Sequence, residues 1–247
     1  MKSAFFHVHF GIGDLFYSIG AIRYLATQYD EVRVPYPLKH RMIFFSLFHD
    51  VPNVKMICSD MFYSNTVSGP YFIYDASKNC DLFLCGEFKI NRTTPVLSDT
   101  SPYPYCFYDD IGLERSIMKD YFYIPRLPMY KKLWEQMPER YIFIHEQWSG
   151  GHVDIFSKLN TDLLVLDPNK NHYQWDHPYH KKAQLAVGKQ SPVWHIYLIE
   201  NAEELHLVES CYVCLAHQLD LSKVKVKKGY LKREGDSIKT FGIFQRD

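Results

Sequence analysis

The first thirty residues constrain the fold more than any other segment. An apolar and aromatic run, Phe5-Phe6-His7-Val8-His9-Phe10, meets Gly11-Ile12-Gly13-Asp14 and passes into a stretch with apolar residues at Leu15, Ile19, Ile22 and Leu25. The run reads as a strand buried on both faces, the habit of parallel sheets. The spacing that follows is helical. A glycine turn between them lets backbone approach a ligand at the strand's carboxyl end, where open α/β sheets bind. Asp14 then stands at a helix start facing a cleft. Two readings of it stay open: a helix N-cap, for which Asp is favoured, and a group that does chemistry.

The same alternation recurs along the chain, which predicts α/β architecture with mostly parallel strands. Strand-like runs fall at 31–36, 54–58, 71–74, 82–85, 121–124, 141–145, 163–166, 205–208, 224–226 and 241–244. Helical runs fall at 15–26, 38–48, 105–118, 129–137, 195–202 and 211–219. Pro95, Pro102 and Pro104 make 91–105 a loop, and the His-, Lys- and Pro-rich 169–191 reads as another. Pro125-Arg126-Leu127-Pro128 marks a junction. The expected organisation is two Rossmann-like domains with a cleft between them, 1–126 and 127–247.

Charge and cysteine use narrow the class. With 28 basic and 28 acidic residues the net charge is zero, so bulk attraction to nucleic acid or an anionic membrane is not expected. No apolar run nears the roughly 18 residues of a membrane span, and the N-terminus has no signal-peptide pattern. Six scattered cysteines do not make a secreted disulfide framework. The expectation is a cytoplasmic protein without a nucleic-acid partner or an integral membrane segment. Cys211-x-x-Cys214 and the Cys80/Cys85 pair read as core thiols, because no second pair has metal-ligand spacing. Asp109-Asp110 reads as a solvated turn. His172, His177 and His180 with Asp176 match no standard metal site. The absence of a Gly-x-Ser-x-Gly elbow argues against a serine hydrolase. Trp148, Trp175, Tyr173 and Tyr179 suit either stacking on a sugar or base, or plain surface packing.

Two segments of the second half have ligand-binding character. Ser149-Gly150-Gly151-His152 follows the strand 141–145 and can form an anion nest, or an ordinary turn. Glu209-Ser210 follows the strand 205–208 and opens a helix at Cys211-Tyr212; Ser210 is either a simple cap or part of a phosphate site.

These residues carry a resemblance. His9-Phe10-Gly11-Ile12-Gly13-Asp14-Leu15, with the helix ending Ile22-Arg23-Tyr24-Leu25, resembles the opening of heptosyltransferase-like GT-B glycosyltransferases of family 9. The run from Tyr197 to Ser210 and the strand 142–145 with its Ser149 loop are similar to that family's donor-site segments. The resemblance implies a metal-independent, inverting glycosyltransferase, a hexosyl- or pentosyltransferase of glycan biosynthesis, with Asp14 as general base. It implies an acceptor-binding N-terminal domain, with Gly11, Ile12 and Gly13 on the acceptor side. It implies a C-terminal domain that binds the nucleotide sugar through Ser149, Gly150, Gly151, His152, Glu203, Glu209, Ser210, Cys211 and Tyr212. The partners implied are a nucleotide sugar, as co-substrate, and a glycan or other saccharide acceptor, with neither cofactor nor metal. The alternative is a non-catalytic nucleotide- or glycan-binding protein on the same fold, which has no need of an acid at Asp14.

Overall fold

Ser3–His7 forms β1, and every residue in it is buried, as expected of a central strand covered on both faces. The structure is a computed structural model. It describes residues 1–7, 11–58, 77–85, 104–148, 150–189, 191–230 and 245–246. From β1 the chain enters α1 (Ile12–Gln28), returns as β2 (Glu31–Tyr36), crosses through α2 (Arg41–Phe48) and returns as β3 (Val54–Cys58). After residues outside the described set comes β4 (Cys80–Leu84), then two short helices, α3 (Cys106–Asp109) and α4 (Ile117–Asp120). The sheet order is β3-β2-β1-β4, all parallel. The chain winds outward from β1 to β3, then places β4 on the other side of β1. That reversal makes the carboxyl end of β1 a topological switch point, where such sheets open a crevice.

Long-range ties hold α1 in place. It buries Leu15, Phe16, Ile19, Ile22 and Leu25. Arg23 makes a bidentate pair with Asp50 and donates to Leu47 O, fastening α1 to the end of α2. Asn53 donates to Ala26 O and Tyr29 O, which satisfies carbonyls at the helix end. Tyr108 OH donates to Tyr17 O at 2.7 Å. Gly20 lets α4 come close: a Cβ there would meet Ile117 O at 2.5 Å and Met118 Cα at 3.0 Å.

A second compact unit begins at Arg126, the first spanning Met1–Pro125. It runs α5 (Pro128–Trp134), β5 (Tyr141–His145), the hairpin β6 (Gln147–Trp148) and β7 (Gly151–His152), β8 (Leu164–Leu166), α6 (His180–Ala186), α7 (Ile196–Glu200), β9 (Glu204–Val208), α8 (Cys211–Ala216), β10 (Val226–Tyr230) and β11 (Gln245–Arg246). The main sheet is β11-β10-β9-β5-β8, again all parallel. The chain steps from β5 to β8 and then crosses back to β9, so this sheet's switch point lies between β5 and β9. On β5, Ile142 and Ile144 pack with Ile155, Val165, Val208 and Tyr230. The alternate residue Phe143 faces His195 and Tyr212.

Several elements differ from the expectation. The first helix starts at Ile12, so Gly13 and Asp14 lie in its first turn and Gly11 is the N-cap. Residues 121–124 form no strand. The predicted helix 105–118 is two four-residue pieces with a loop between. Part of the predicted loop 169–191 is α6, whose buried face is two alanines, Ala183 and Ala186, too small to show a period. The strand expected at 224–226 is β10, where Lys227 and Lys228 mask it. The expected strands 71–74 and 241–244 lie outside the described residues.

Candidate active site

Asp14 lies in the first turn of the helix that follows the central strand β1, and is half-buried. The Gly11 cap makes no side-chain bond, and Gly11 O accepts from Leu15 N–H. The N-cap reading of Asp14 is therefore replaced: Gly11 holds that position. Asp14 occupies the third helical position, where a carboxylate is favoured by the helix dipole. Gly11, Ile12 and Gly13 surround it at the carboxyl end of β1, and Cys85, which follows β4, donates its N–H to His7 O at 3.1 Å. The acid thus stands at the first unit's switch point.

At the second unit's switch point, Ser210 follows β9 and His145 ends β5. Ser210 Oγ accepts from Tyr212 N–H at 3.3 Å, capping α8, and lies 2.9 Å from His145 Nδ1. Burial pushes His145 down to about 3, so its imidazole is neutral near pH 7. The ring of Tyr212 packs 4.3 Å from that of His145, and its hydroxyl lies 2.9 Å from His195 Nδ1. Burial likewise lowers His195 to about 4, and its Nε2–H donates to Ala186 O. The imidazoles beside Ser210 and Tyr212 are therefore neutral. Glu209 follows β9 directly and is half-buried. Burial pushes the Cys211 thiol up to about 12, so it is not a thiolate.

The structure brings some of the expected donor residues together and separates others. Ser210, Cys211 and Tyr212 share the start of α8, but the Tyr212 side chain is buried and its N–H serves the cap. Glu203 precedes β9, at the opposite edge of the sheet, roughly 16 Å of strand from Ser210. There Arg140 holds it in a bidentate pair, and Lys225 adds a contact at 3.3 Å. Those cations, Arg140 first, lower Glu203 to about 2. Glu203 is therefore engaged by Arg140 and Lys225, apart from Ser210 and Cys211.

Gly150, Gly151 and His152 belong to the β6–β7 hairpin, and Ser149 lies outside the described residues. The two glycines make room for the Trp148 indole: Cβ atoms would meet it at 2.8 Å from Gly150 and 2.7 Å from Gly151. His152 turns to Glu146, with Nε2 3.0 Å from Oε2. His177 and His180 engage Tyr173, by stacking and by a bond to its carbonyl. They do not join His172, which meets Glu146 and Asp167 instead. The sequence reading missed that grouping. Its one available signal was that each acid is the first residue after an apolar strand.

No family model and no curated protein matches the chain. Among solved structures, the glycosyl transferase family 9 protein of Veillonella parvula superposes with a TM-score of 0.52 at 11% identity, covering 93% of this chain and 80% of that one. The iron-containing dodecameric glycosyltransferase TibC of enterotoxigenic E. coli gives a TM-score of 0.50 at 11% identity, over 93% of this chain and 57% of that one. The chain thus spans little more than half the length of TibC. The mixed α/β fold with parallel sheets is shared with these glycosyltransferases, as the sequence resemblance implied. Among the described residues no helix is long and apolar enough to cross a membrane.

Proposed function

We propose that this fold serves sugar transfer from a nucleotide sugar to a hydroxyl acceptor, with Asp14 as the general base. The observation that carries the reading is the position of Asp14, in the first helical turn after the central strand, at a switch point. Asp14 removes the proton from the acceptor hydroxyl, whose oxygen attacks the anomeric carbon as the nucleoside diphosphate leaves, inverting the centre in one displacement.

Electrostatics divides the labour between the units. The start of α1 carries a carboxylate, which repels a diphosphate and suits a neutral saccharide hydroxyl. The start of α8 carries Ser210 beside a neutral imidazole, and Glu209, just before it, can accept from the donor's ribose hydroxyls. The first unit therefore takes the acceptor and the second the donor, with Ser210, Cys211 and the hairpin of Gly150, Gly151 and His152 on the diphosphate side. Transfer proceeds without a metal bridging the diphosphate.

The test replaces one atom. Asp14→Asn keeps size and polarity but cannot accept the proton. It should fold, bind donor and lose about 10²–10⁴-fold in transfer. Donors are found first, by screening UDP-, GDP-, ADP- and CMP-sugars for thermal stabilisation and slow hydrolysis. Transfer by folded Asp14→Asn within a few-fold of wild type removes Asp14 from the mechanism.

A further inference from the structure

We propose that Glu146, Asp167 and His172 bind one divalent transition-metal ion of the zinc class at the carboxyl edge of the second sheet, with His152 supporting Glu146. The proposal stands independently of the transferase reading.

Strand register creates the site. Ile142 pairs with Val165, so Val165 shares a sheet face with Ile142 and Ile144. Two residues beyond Val165 and two beyond Ile144, on the same face, stand Asp167 and Glu146, each the first residue past its strand. Both carboxylates are buried, with side chains 1% and 2% exposed.

Each acid has one oxygen fixed by backbone. Glu146 Oε1 accepts from Ile155 N–H and Phe156 N–H, both at 2.7 Å. Asp167 Oδ1 accepts from Asn169 N–H at 2.8 Å. The other oxygens converge on His172 Nε2, which lies 3.0 Å from Asp167 Oδ2 and 3.6 Å from Glu146 Oε2. The ring of His172 is itself set by stacking on Phe156 at 4.3 Å. From the hairpin, His152 Nε2 approaches the same Glu146 Oε2 at 3.0 Å.

His172 Nε2 carries at most one proton and lies nearer Asp167 Oδ2, while Glu146 Oε2 is met by His152 Nε2. Two buried negative charges call for a positive partner of matching charge. A tetrahedral ion with bonds of about 2.0–2.1 Å sets its donor atoms about 3.3 Å apart; the contacts of 3.0 and 3.6 Å bracket that spacing. Backbone anchoring of the second carboxylate oxygen is the kind of outer support that orients metal ligands. A buried imidazole donor beside two carboxylates selects a zinc-class ion over magnesium or calcium, which take oxygen. His152 is 47% exposed and holds Glu146 Oε2 from the solvent side, as outer support for that ligand. The ion would then tie the end of β5 to the end of β8.

The experiment needs neither nucleotide nor turnover, so its failure leaves the transferase reading standing. Full-length protein is stripped with chelator, dialysed, and titrated with Zn²⁺ by calorimetry. Co²⁺ serves as an optical probe, and Tm is followed with Zn²⁺ and with Mg²⁺. The expected results are one zinc per chain, visible Co²⁺ bands of four-coordinate intensity, and a Tm raised by Zn²⁺ but not by Mg²⁺. Asp167→Asn and His172→Gln should weaken zinc at least tenfold. His152→Gln, at an exposed site that holds Glu146 Oε2, keeps the test open if those variants do not fold, and should also weaken zinc about tenfold through the loosened carboxylate. No zinc uptake by stripped, folded wild type overturns the proposal, as does wild-type affinity in every folded variant.

Discussion

His145, His195 and His217 of the second unit sit where a charge is hard to hold. Burial lowers them to about 3, 4 and 3. In the unfolded chain each titrates near pH 6.5. As pH falls below about 6.5, the unfolded chain takes up protons that the folded unit refuses until about pH 4. Stability therefore drops over that window, by up to about 1.4 kcal/mol per pH unit for each imidazole. Urea unfolding at pH 7, 6 and 5, read by a second-unit probe, should show the decline. His145→Gln should flatten the slope by about a third; an unchanged slope would mean that His145 is accessible to protons in the folded unit. The same burial keeps the imidazole beside Ser210 neutral, so acid weakens the proposed donor side through the fold.

Among the elements, α1 does most to define the first unit, and Gly20 is its point of closest approach. A methyl group there meets the backbone of Ile117 and Met118, and also Tyr108 OH at 2.9 Å. Backbone cannot swing aside as a side chain can. Gly20→Ala gains about 1 kcal/mol of helix propensity and loses about 1–3 kcal/mol to overpacking. The net expectation is a destabilised first unit with a lower urea midpoint; a raised midpoint would show that α4 does not press on α1. The elements also show what the sequence made legible. Glu31–Tyr36, Val54–Cys58 and Tyr141–His145 were readable to the residue, because each is a compact run bounded by turn or polar residues. Helix α6 and strand β10 were not: one hides behind alanines, the other behind lysines. The start of α8 could be placed from Ser210, whereas α1 was expected from Leu15 and begins three residues earlier, at Ile12. The Glu146–Asp167–His172 grouping could not be placed, because it depends on the register of two strands that the sequence does not pair.

Across the whole molecule, each of the two sheets is made of near and far pairings. In the first, Ser3 pairs with Glu31 on one side of β1 and with Cys80 on the other. In the second, Ile142 pairs with Val165 on one side of β5 and with Glu204 on the other. Closing a longer loop costs more conformational entropy, about 0.6 kcal/mol for each doubling, and distant pairings slow folding. The strands β2 and β8 should therefore dock before β4 and β9. Pulsed hydrogen exchange during refolding should protect the amides of β2 and β8 first, and Cys85 N–H, bonded to His7 O, among the last in its unit. Simultaneous protection would contradict this order. The reversal in strand order that opens each crevice is thus also a clock: the crevice is the youngest part of its sheet, and any ligand seated there meets a chain that has already finished folding.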